Sequence, residues 1–539
     1  MAHGPLGDEN DRSAKNVSLE ILADLPNNDI DRQTSIDRRF LPIYTSRMFV
    51  GRENELKSIQ EAIDSNRAEL GIVYGRRRIG KSSLLMQFKK HKGDLCFEAL
   101  QKASTLKQID HFTDQLAKQT GTPKILARNW KEAFDGLTLH IQKGKHYVVF
   151  DEFPWMATGR TELVSILKFY WDTIWKKNSK LTLVLCGSVT SFMLKHLIHS
   201  QALHNRKTFE MKLDSLPINE AALFFKKYRS NFEMAKFLMV FGGIPKYLEQ
   251  LDPAKSFAAN MDRLCFTKNS FFMTEFETLF KEQFKVIKTY EAIAEALAKR
   301  SDSKEGLAER IHMKPGGGLS GYIQALEQTD FVKVFSPLSV TGLGEKTKKI
   351  VLWDEWLRFY FSYIKPNKRV IEINTNPGLF QQLAGKSIDT YFGLAFEKLC
   401  MKNLPGLLSA VGIPLNEVLG YGPFFRQPSR TGQNDGGLQI DILVHRQGHI
   451  LTIIECKFQT TPVGLSVVQE VERKLALLKP NTAFVAGHQV RHDEYWRKSA
   501  GKIYTAEKML VCAGPITRDL QQSGYFHKIL DIDAFFFPV

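Results

Sequence analysis

The stretch that most restricts how this chain folds is GIVYGRRRIGKSS, residues 71–83. A short apolar run leads into Gly75, four residues separate Gly75 from Gly80, and Lys81 and Ser82 open the apolar-periodic stretch SSLLMQFKK. That is strand, glycine-bounded loop, helix. The glycines let backbone N–H groups close around phosphate oxygens, and the helix N-terminus adds a favourable dipole. Lys81 is placed to reach the outer phosphates and Ser82 to hold Mg²⁺, with Ser83 beside them in the same cradle. The ligand implied is a nucleoside triphosphate, ATP, with Mg²⁺.

Such a loop needs an acidic partner on a neighbouring strand. HYVVFDEFPW supplies Asp151 and Glu152 at the end of an apolar run. Asp151 is expected to hold the metal through water and Glu152 to polarise the attacking water. KIVLWDEW carries Asp354 and Glu355 in the same local setting, but far along the chain after a basic hairpin, and reads as structural. LTLVLCGSVTSFM is a third buried strand, with Ser188 at its end as a polar γ-phosphate sensor or simply a helix-starting serine. Strand and helix patterns alternate to about residue 215, which predicts a parallel α/β sheet. Helical patterns follow over 216–280.

FVGRENEL, GRRRIGKSS, VVFDEFPWM, LVLCGS and FGGIPKYL occur in that order. Together they resemble the archaeal-type ATPase family, within the AAA+ and signal-transducing ATPases, over residues 46–280. The resemblance implies that Pro245, in Gly242-Gly243-Ile244-Pro245, lies near the adenine. It also implies an arginine finger at Arg206, worth about 10³-fold or more in rate. Asn205 stands where the family usually has glycine, and a solvated surface arginine is the competing reading.

Residues 281–365 read as three helices and a β-hairpin, the outline of a winged helix, closed by VLWDEWLRFYF. The third helix, from Leu319, takes the recognition position, and Lys346, Lys348 and Lys349 fall on the wing. LSGYIQALEQTDF has no Arg or Lys, which favours a packing or regulatory module over a DNA reader.

QIDILVHRQGHILTIIECKFQ, residues 439–459, holds two apolar strands joined by a Gly-containing turn. Asp441 lies in the first strand; Glu455 and Lys457 end the second, on one face. Buried charge is costly without a partner, so a site is the better reading than decoration. Asp441 and Glu455 are expected to bind a divalent ion, with Lys457 positioning the nucleophile or stabilising the oxyanion. Three other triplets, Glu55-x-Lys57, Glu210-x-Lys212 and Glu472-x-Lys474, read as helix spacing or surface charge. The arrangement resembles the PD-(D/E)xK nuclease superfamily over residues 385–539. That resemblance implies an acidic first-helix residue at Glu397 and an accessory Gln469. A degenerate domain of this kind that binds without cutting is the alternative.

The fold class expected is therefore α/β multidomain: a P-loop AAA+-type ATPase core with helical lid, a winged-helix module, and a mixed α/β restriction-endonuclease-like domain. The boundaries are 1–45 (disordered tail), 46–215 (core), 216–280 (lid), 281–365 (winged helix), 366–384 (linker) and 385–539 (nuclease-like). No uninterrupted run of 18 apolar residues is present, so no membrane span is expected. The N-terminus lacks the apolar segment of a signal peptide. Six scattered cysteines without CxxC pairs fit a reducing cytoplasm. A net charge of +16 favours a polyanionic partner, nucleic acid and most simply DNA. A trans-acting Arg206 implies a homo-oligomer. The function expected is an ATP-dependent or ATP-gated nuclease, in defence against foreign DNA or in DNA processing. The alternative is an ATP-switched signalling or binding protein.

Overall fold

The computed structural model describes residues 49–158, 162–189, 191–225, 229–284, 286–336, 338, 348–426, 437–478, 485–486, 489–490 and 505–536. The expected N-terminal tail and Lys346 lie outside them.

The first sheet has five strands: β1 (Glu69–Gly75), β2 (Leu95–Glu98), β3 (His146–Asp151), β4 (Leu181–Ser188) and β5 (Phe209–Leu213). Their order is β2-β3-β4-β1-β5 and every pairing is parallel. Both faces are covered, so the strands read as continuous apolar runs rather than alternating ones. Period two then divides them between two cores. Leu183 and Leu185 of β4 pack into one hydrophobic cluster, Val184 and Cys186 into the other. The order puts β4 between the glycine-loop strand and the Asp151 strand. Gly75 pairs with Ser188, which brings three strand ends to one edge.

The glycine loop enters helix α1 (Lys81–Met86). Short helices follow β5, among them Asn231–Phe241 and Pro245–Leu248, and then α2 (Phe271–Gln283). Next come α3 (Ile287–Lys299), α4 (Lys304–Arg310) and α5 (Gly317–Gln328). An antiparallel pair, β6 (Val332–Phe335) and β7 (Lys349–Leu352), follows, with Asp302 bridging to Ile350.

The 366–384 stretch, expected as a linker, is partly helical and packed. It forms helices Lys368–Ile373 and Leu379–Ala384, and Ile371, Leu379 and Phe380 are buried. Asp262 accepts the Gly378 and Phe380 amides at 3.1 and 2.8 Å. The polar Asn- and Pro-rich composition hid these three anchoring apolar residues.

The C-terminal part begins with α6 (Ile388–Lys402) and continues through β8 (Val418–Arg426), β9 (Leu438–Arg446), β10 (Ile450–Lys457) and α7 (Ser466–Leu478). After two-residue strands β11 (Val485–Ala486) and β12 (Gln489–Val490) come β13 (Thr505–Cys512) and β14 (Lys528–Asp531). The mixed sheet has order β14-β13-β10-β9-β8. β10 is central, antiparallel to β9 and parallel to β13. One apolar cluster is continuous from Val73 on β1 through Trp356 to Phe396 on α6 and Ile454 on β10, so the ATP-loop sheet and the C-terminal sheet share packed neighbours. Among the described residues no helix is long and apolar enough to cross a membrane.

Candidate functional site

Gly80 has φ +85°, in the left-handed region where a side chain is strained, and caps α1. Lys81 follows, 6 % exposed, and its ammonium donates to the Arg76 carbonyl at 3.0 Å and the Ser188 hydroxyl at 3.3 Å. Among the described residues no carboxylate lies within ion-pair distance of it. Ser82 and Ser83 are half-buried beside it. Asp151 is buried at the end of β3, and its Oδ1 accepts the Glu152 amide at 2.9 Å. Glu152 sits at φ 48°, ψ 44°, which swings its side chain off the strand line. The Ser188 hydroxyl donates to Glu152 Oε1 at 3.2 Å. The sequence candidates Gly75, Gly80, Lys81, Asp151, Glu152 and Ser188 thus gather at one sheet edge. Glu98 was missed by sequence reasoning. It ends β2 opposite Asp151 on β3, exposed but with part of its water shell lost, and that loss, then the charges of Asp151 and Glu152, push its carboxyl up.

Pro245 comes to the same loop. Its Cγ lies 3.9 Å from where a Cβ on Gly80 would be, and the Lys246 amide donates to the Arg78 carbonyl at 3.3 Å. Gly243 allows the approach: a Cβ there would lie 2.0 Å from the Leu216 carbonyl oxygen.

Arg206 is held within its own chain. Its guanidinium donates to both Asp172 oxygens, at 2.8 and 2.9 Å through Nε, and to the Ala202 carbonyl at 2.7 Å.

The loop's arginines were not singled out from sequence, and they tie it to distant parts of the chain. Arg78 pairs with Glu275 of α2 at 3.0 Å, and Tyr247 donates to the same carboxylate at 2.9 Å. Arg77 lies 5.0 Å from the Trp155 ring centre. Arg76, buried, pairs with Asp354 at 2.5 Å. Burial alone would raise the Asp354 carboxyl, but the Arg76 guanidinium pulls it below the usual range. Asp354 also caps the next helix, accepting the Leu357 amide at 2.6 Å. The structural role expected of Asp354 and Glu355 is thus seen in two ion pairs and a helix cap; distance along the chain hid that one of the partners is on the ATP loop. Glu355 pairs with Lys402 of α6 at 2.6 Å.

A second cluster forms in the C-terminal sheet. Asp441 on β9 and Glu455 on β10 lie one position beyond the last paired residues, Ile442 and Ile454. Both are buried, and Asp441 Oδ2 accepts the Cys456 amide at 2.9 Å. Lys457 pairs with Glu455 at 2.9 Å and with Glu470 at 2.7 Å. Lys474 of α7 is the unexpected member. Its ammonium lies 2.6 Å from Glu455, 3.4 Å from Glu470 and 3.8 Å from Asp441, and it is 5 % exposed. The Glu472–Lys474 triplet is helical as expected, but Lys474 is not surface charge. Gln469, on the same helix, is exposed, and the adjacent Glu470 makes the contacts instead.

The cluster's protonation follows from burial. Burial, then the Asp441 charge, pushes Glu397 on α6 up to about 8. Burial, then the Glu455 charge, pushes Asp441 up to about 6. Lys457 and Lys474 both rise, their carboxylate partners outweighing the opposing effect of burial.

A family of ATPase domains found predominantly in Archaea matches residues 49–251. A family of archaeal and bacterial proteins of unknown function matches residues 360–474. An uncharacterized protein of Methanocaldococcus jannaschii, MJECL04, is 30 % identical over 359 residues, covering 66 % of this chain and 77 % of that protein. An uncharacterized ATP-binding protein of the same organism, MJ0423, is 44 % identical over 45 residues, 8 % of this chain and 76 % of that protein. Among solved structures, a Walker-type ATPase of Pyrococcus abyssi is similar at TM-score 0.42 and 17 % identity, covering 58 % of this chain and 96 % of that one. The Aeropyrum pernix ORC2 protein is similar at TM-score 0.40 and 12 % identity, over 61 % and 97 %. With the glycine loop, the Asp151 strand and the interposed Ser188 strand in place, and with a 30 %-identical relative covered over 77 % of its length, the chain belongs to the archaeal P-loop ATPase family.

Proposed function

We propose that this chain hydrolyses ATP at the glycine loop and that its C-terminal domain is a PD-(D/E)xK-type module acting on nucleic acid, most simply DNA. The observation that carries the first half is the position of Ser188, within hydrogen-bond distance of both Lys81 and Glu152. Lys81 neutralises the outer phosphates, and its charge is free of carboxylate partners to do so. Glu152 orients the attacking water, and Ser188 links the two, so arrival of the γ-phosphate is felt at both. Ser82 and Asp151 offer the oxygen donors Mg²⁺ takes and would hold it there, where it supplies charge neutralisation. Pro245 borders the base. Glu152→Gln should bind ATP and not turn it over, whereas Lys81→Ala should lose binding. Equal loss of binding in both counts against these roles.

The second half rests on Asp441, Glu455 and Lys457 converging at adjacent strand ends. As placed, the set does not fit a divalent ion. Lys474 already balances Asp441 and Glu455, and among the described residues no group of three or more His, Cys, Asp or Glu side chains is arranged to hold a metal. A metal-dependent nuclease therefore requires Lys474 to leave the pair. The chain's own groups supply a protonated Glu397 as acid and the Lys457 ammonium for developing negative charge. Lys474 is also the observation that favours a second reading, in which the domain binds and does not cut. The 281–365 segment, read as a winged helix, is in both cases the bridge. Arg76–Asp354 and Glu355–Lys402 run through it from the ATP loop to α6, which carries Glu397. Comparing cleavage of plasmid, linear duplex, single-stranded DNA and RNA, with and without Mg²⁺ and ATP, separates the readings.

Arg206 acts as a finger in a homo-oligomer only if its Asp172 pair opens. ATP turnover per subunit should then rise with protein concentration in the wild type and not in Arg206→Ala. A rate independent of concentration in the wild type removes the trans role.

A further inference from the structure

A cavity of about 480 Å³ lies where the ATP loop, the β6–β7 pair and α6 meet. Arg76, Lys333, Trp353, Glu355, Lys402 and Tyr421 are among its walls, and none of the residues assigned above to ATP contact is. Its volume is in the range of small-molecule sites.

Two features of its lining point to an anionic occupant. Arg76 is 7 % exposed in its side chain, spends one nitrogen on Asp354 and lies 4.8 Å from the Phe331 ring centre, and among the described residues its Nε and Nη2 meet no hydrogen-bond acceptor. A buried guanidinium edge without acceptors is costly and rare. Lys333 is the second feature. Lys212 and Lys402 in the same wall are neutralised by Asp330 and Glu355, at 2.8 and 2.6 Å. Among the described residues Lys333 has no carboxylate within ion-pair distance. Its ammonium is instead set against rings, 4.9 Å from the centre of Trp353 and 5.7 Å from that of Tyr421. Rings and cations in one cavity suit a flat molecule carrying a phosphate.

We infer that this cavity is a second ligand site, for a nucleoside-monophosphate-sized anion whose phosphate bonds the free edge of Arg76 and the ammonium of Lys333. Arg76 follows Gly75 directly, so an occupant would touch the ATP loop. Glu355 and Lys402 put it against α6 as well.

The test uses AMP, with the ATP site first saturated by a non-hydrolysable ATP analogue. Tryptophan fluorescence should change saturably with AMP and not with adenosine. Lys333→Gln should weaken AMP by about 10-fold or more while leaving basal ATP turnover unchanged, and Lys333→Arg should restore it. Trp353→Phe should remove the signal and keep the heat of binding. Lys81→Ala should still bind AMP, which separates this site from the ATP site. No saturable AMP binding at millimolar concentration, equal binding of adenosine, displacement of the ATP analogue by AMP, or an unaffected Lys333→Gln each overturns the inference.

Discussion

Lys81 and Lys474 are both buried lysines, each beside a conspicuous carboxylate pair, and their surroundings are opposite. Lys81 donates to carbonyl and hydroxyl oxygens, and among the described residues no carboxylate pairs with its charge. Lys474 donates to Glu455 and lies near Asp441 and Glu470, so its charge is spent inside the protein. A site built like the first is prepared for an anion. A site built like the second is already neutral, and anything charged that enters must displace part of it. The ATP loop can therefore receive an anion as it stands, and the C-terminal cluster can receive a charged group only once Lys474 moves.

The comparison breaks first on stability. Lys474→Met leaves Glu455, 1 % exposed, without its closest partner and should cost about 3–5 kcal/mol in denaturant unfolding. Lys81→Met removes no ion pair and should cost less than about 1 kcal/mol in the same experiment, while ATP affinity or turnover falls about 100- to 1,000-fold. Equal destabilisation by the two substitutions would erase the distinction.

A smaller effect should appear with pH. Glu397 faces Asp441, Glu455, Arg358 and Lys474, and its carboxyl is raised from 4.5 to about 8, with Asp441 raised in the same direction. The folded value exceeds the unfolded one, so folding favours the protonated form. Stability from this group is full below the unfolded value and is lost as pH rises towards 8. Melting temperature should therefore fall from acid to neutral pH, and Glu397→Gln should flatten that fall. A profile unchanged by the substitution would place the dependence elsewhere.

The smallest expected change concerns Lys348 and Lys349, just before and at the start of β7. Reversing both charges should lower the salt dependence of DNA binding by about two counterions if they touch phosphate. An unchanged slope would move the contact to another part of the chain.

What the sequence made legible was local. Gly75 through Ser83 is a contiguous signal, Asp151, Ser188 and Glu455 each stand at the end of an apolar run, and Asp441 interrupts one. Their burial follows from the strand pattern alone. What it hid was long-range. Arg76 and Asp354 stand 278 residues apart, and nothing in KIVLWDEW says which cation it meets. Lys474 sits on an amphipathic helix whose period shows that one face is buried, but not that a lysine on that face points at carboxylates. Glu472 and Lys474 looked alike in sequence. In the structure Glu472 accepts the Tyr525 hydroxyl at 2.6 Å at the surface, and Lys474 closes the cluster.

The proposal that the C-terminal cluster cuts nucleic acid under control of the ATP loop needs Lys474 to leave Asp441 and Glu455 first. The most direct measurement is nucleic-acid cleavage by the full chain with Mg²⁺ and ATP, comparing wild type, Asp441→Ala, Lys457→Ala and Lys81→Ala in parallel. The account predicts cleavage by the wild type, loss in Asp441→Ala with ATP turnover nearly intact, a slower rate in Lys457→Ala, and altered cleavage in Lys81→Ala. Cleavage that survives Asp441→Ala, or none by the wild type on any substrate, would contradict it and leave a domain that binds without cutting.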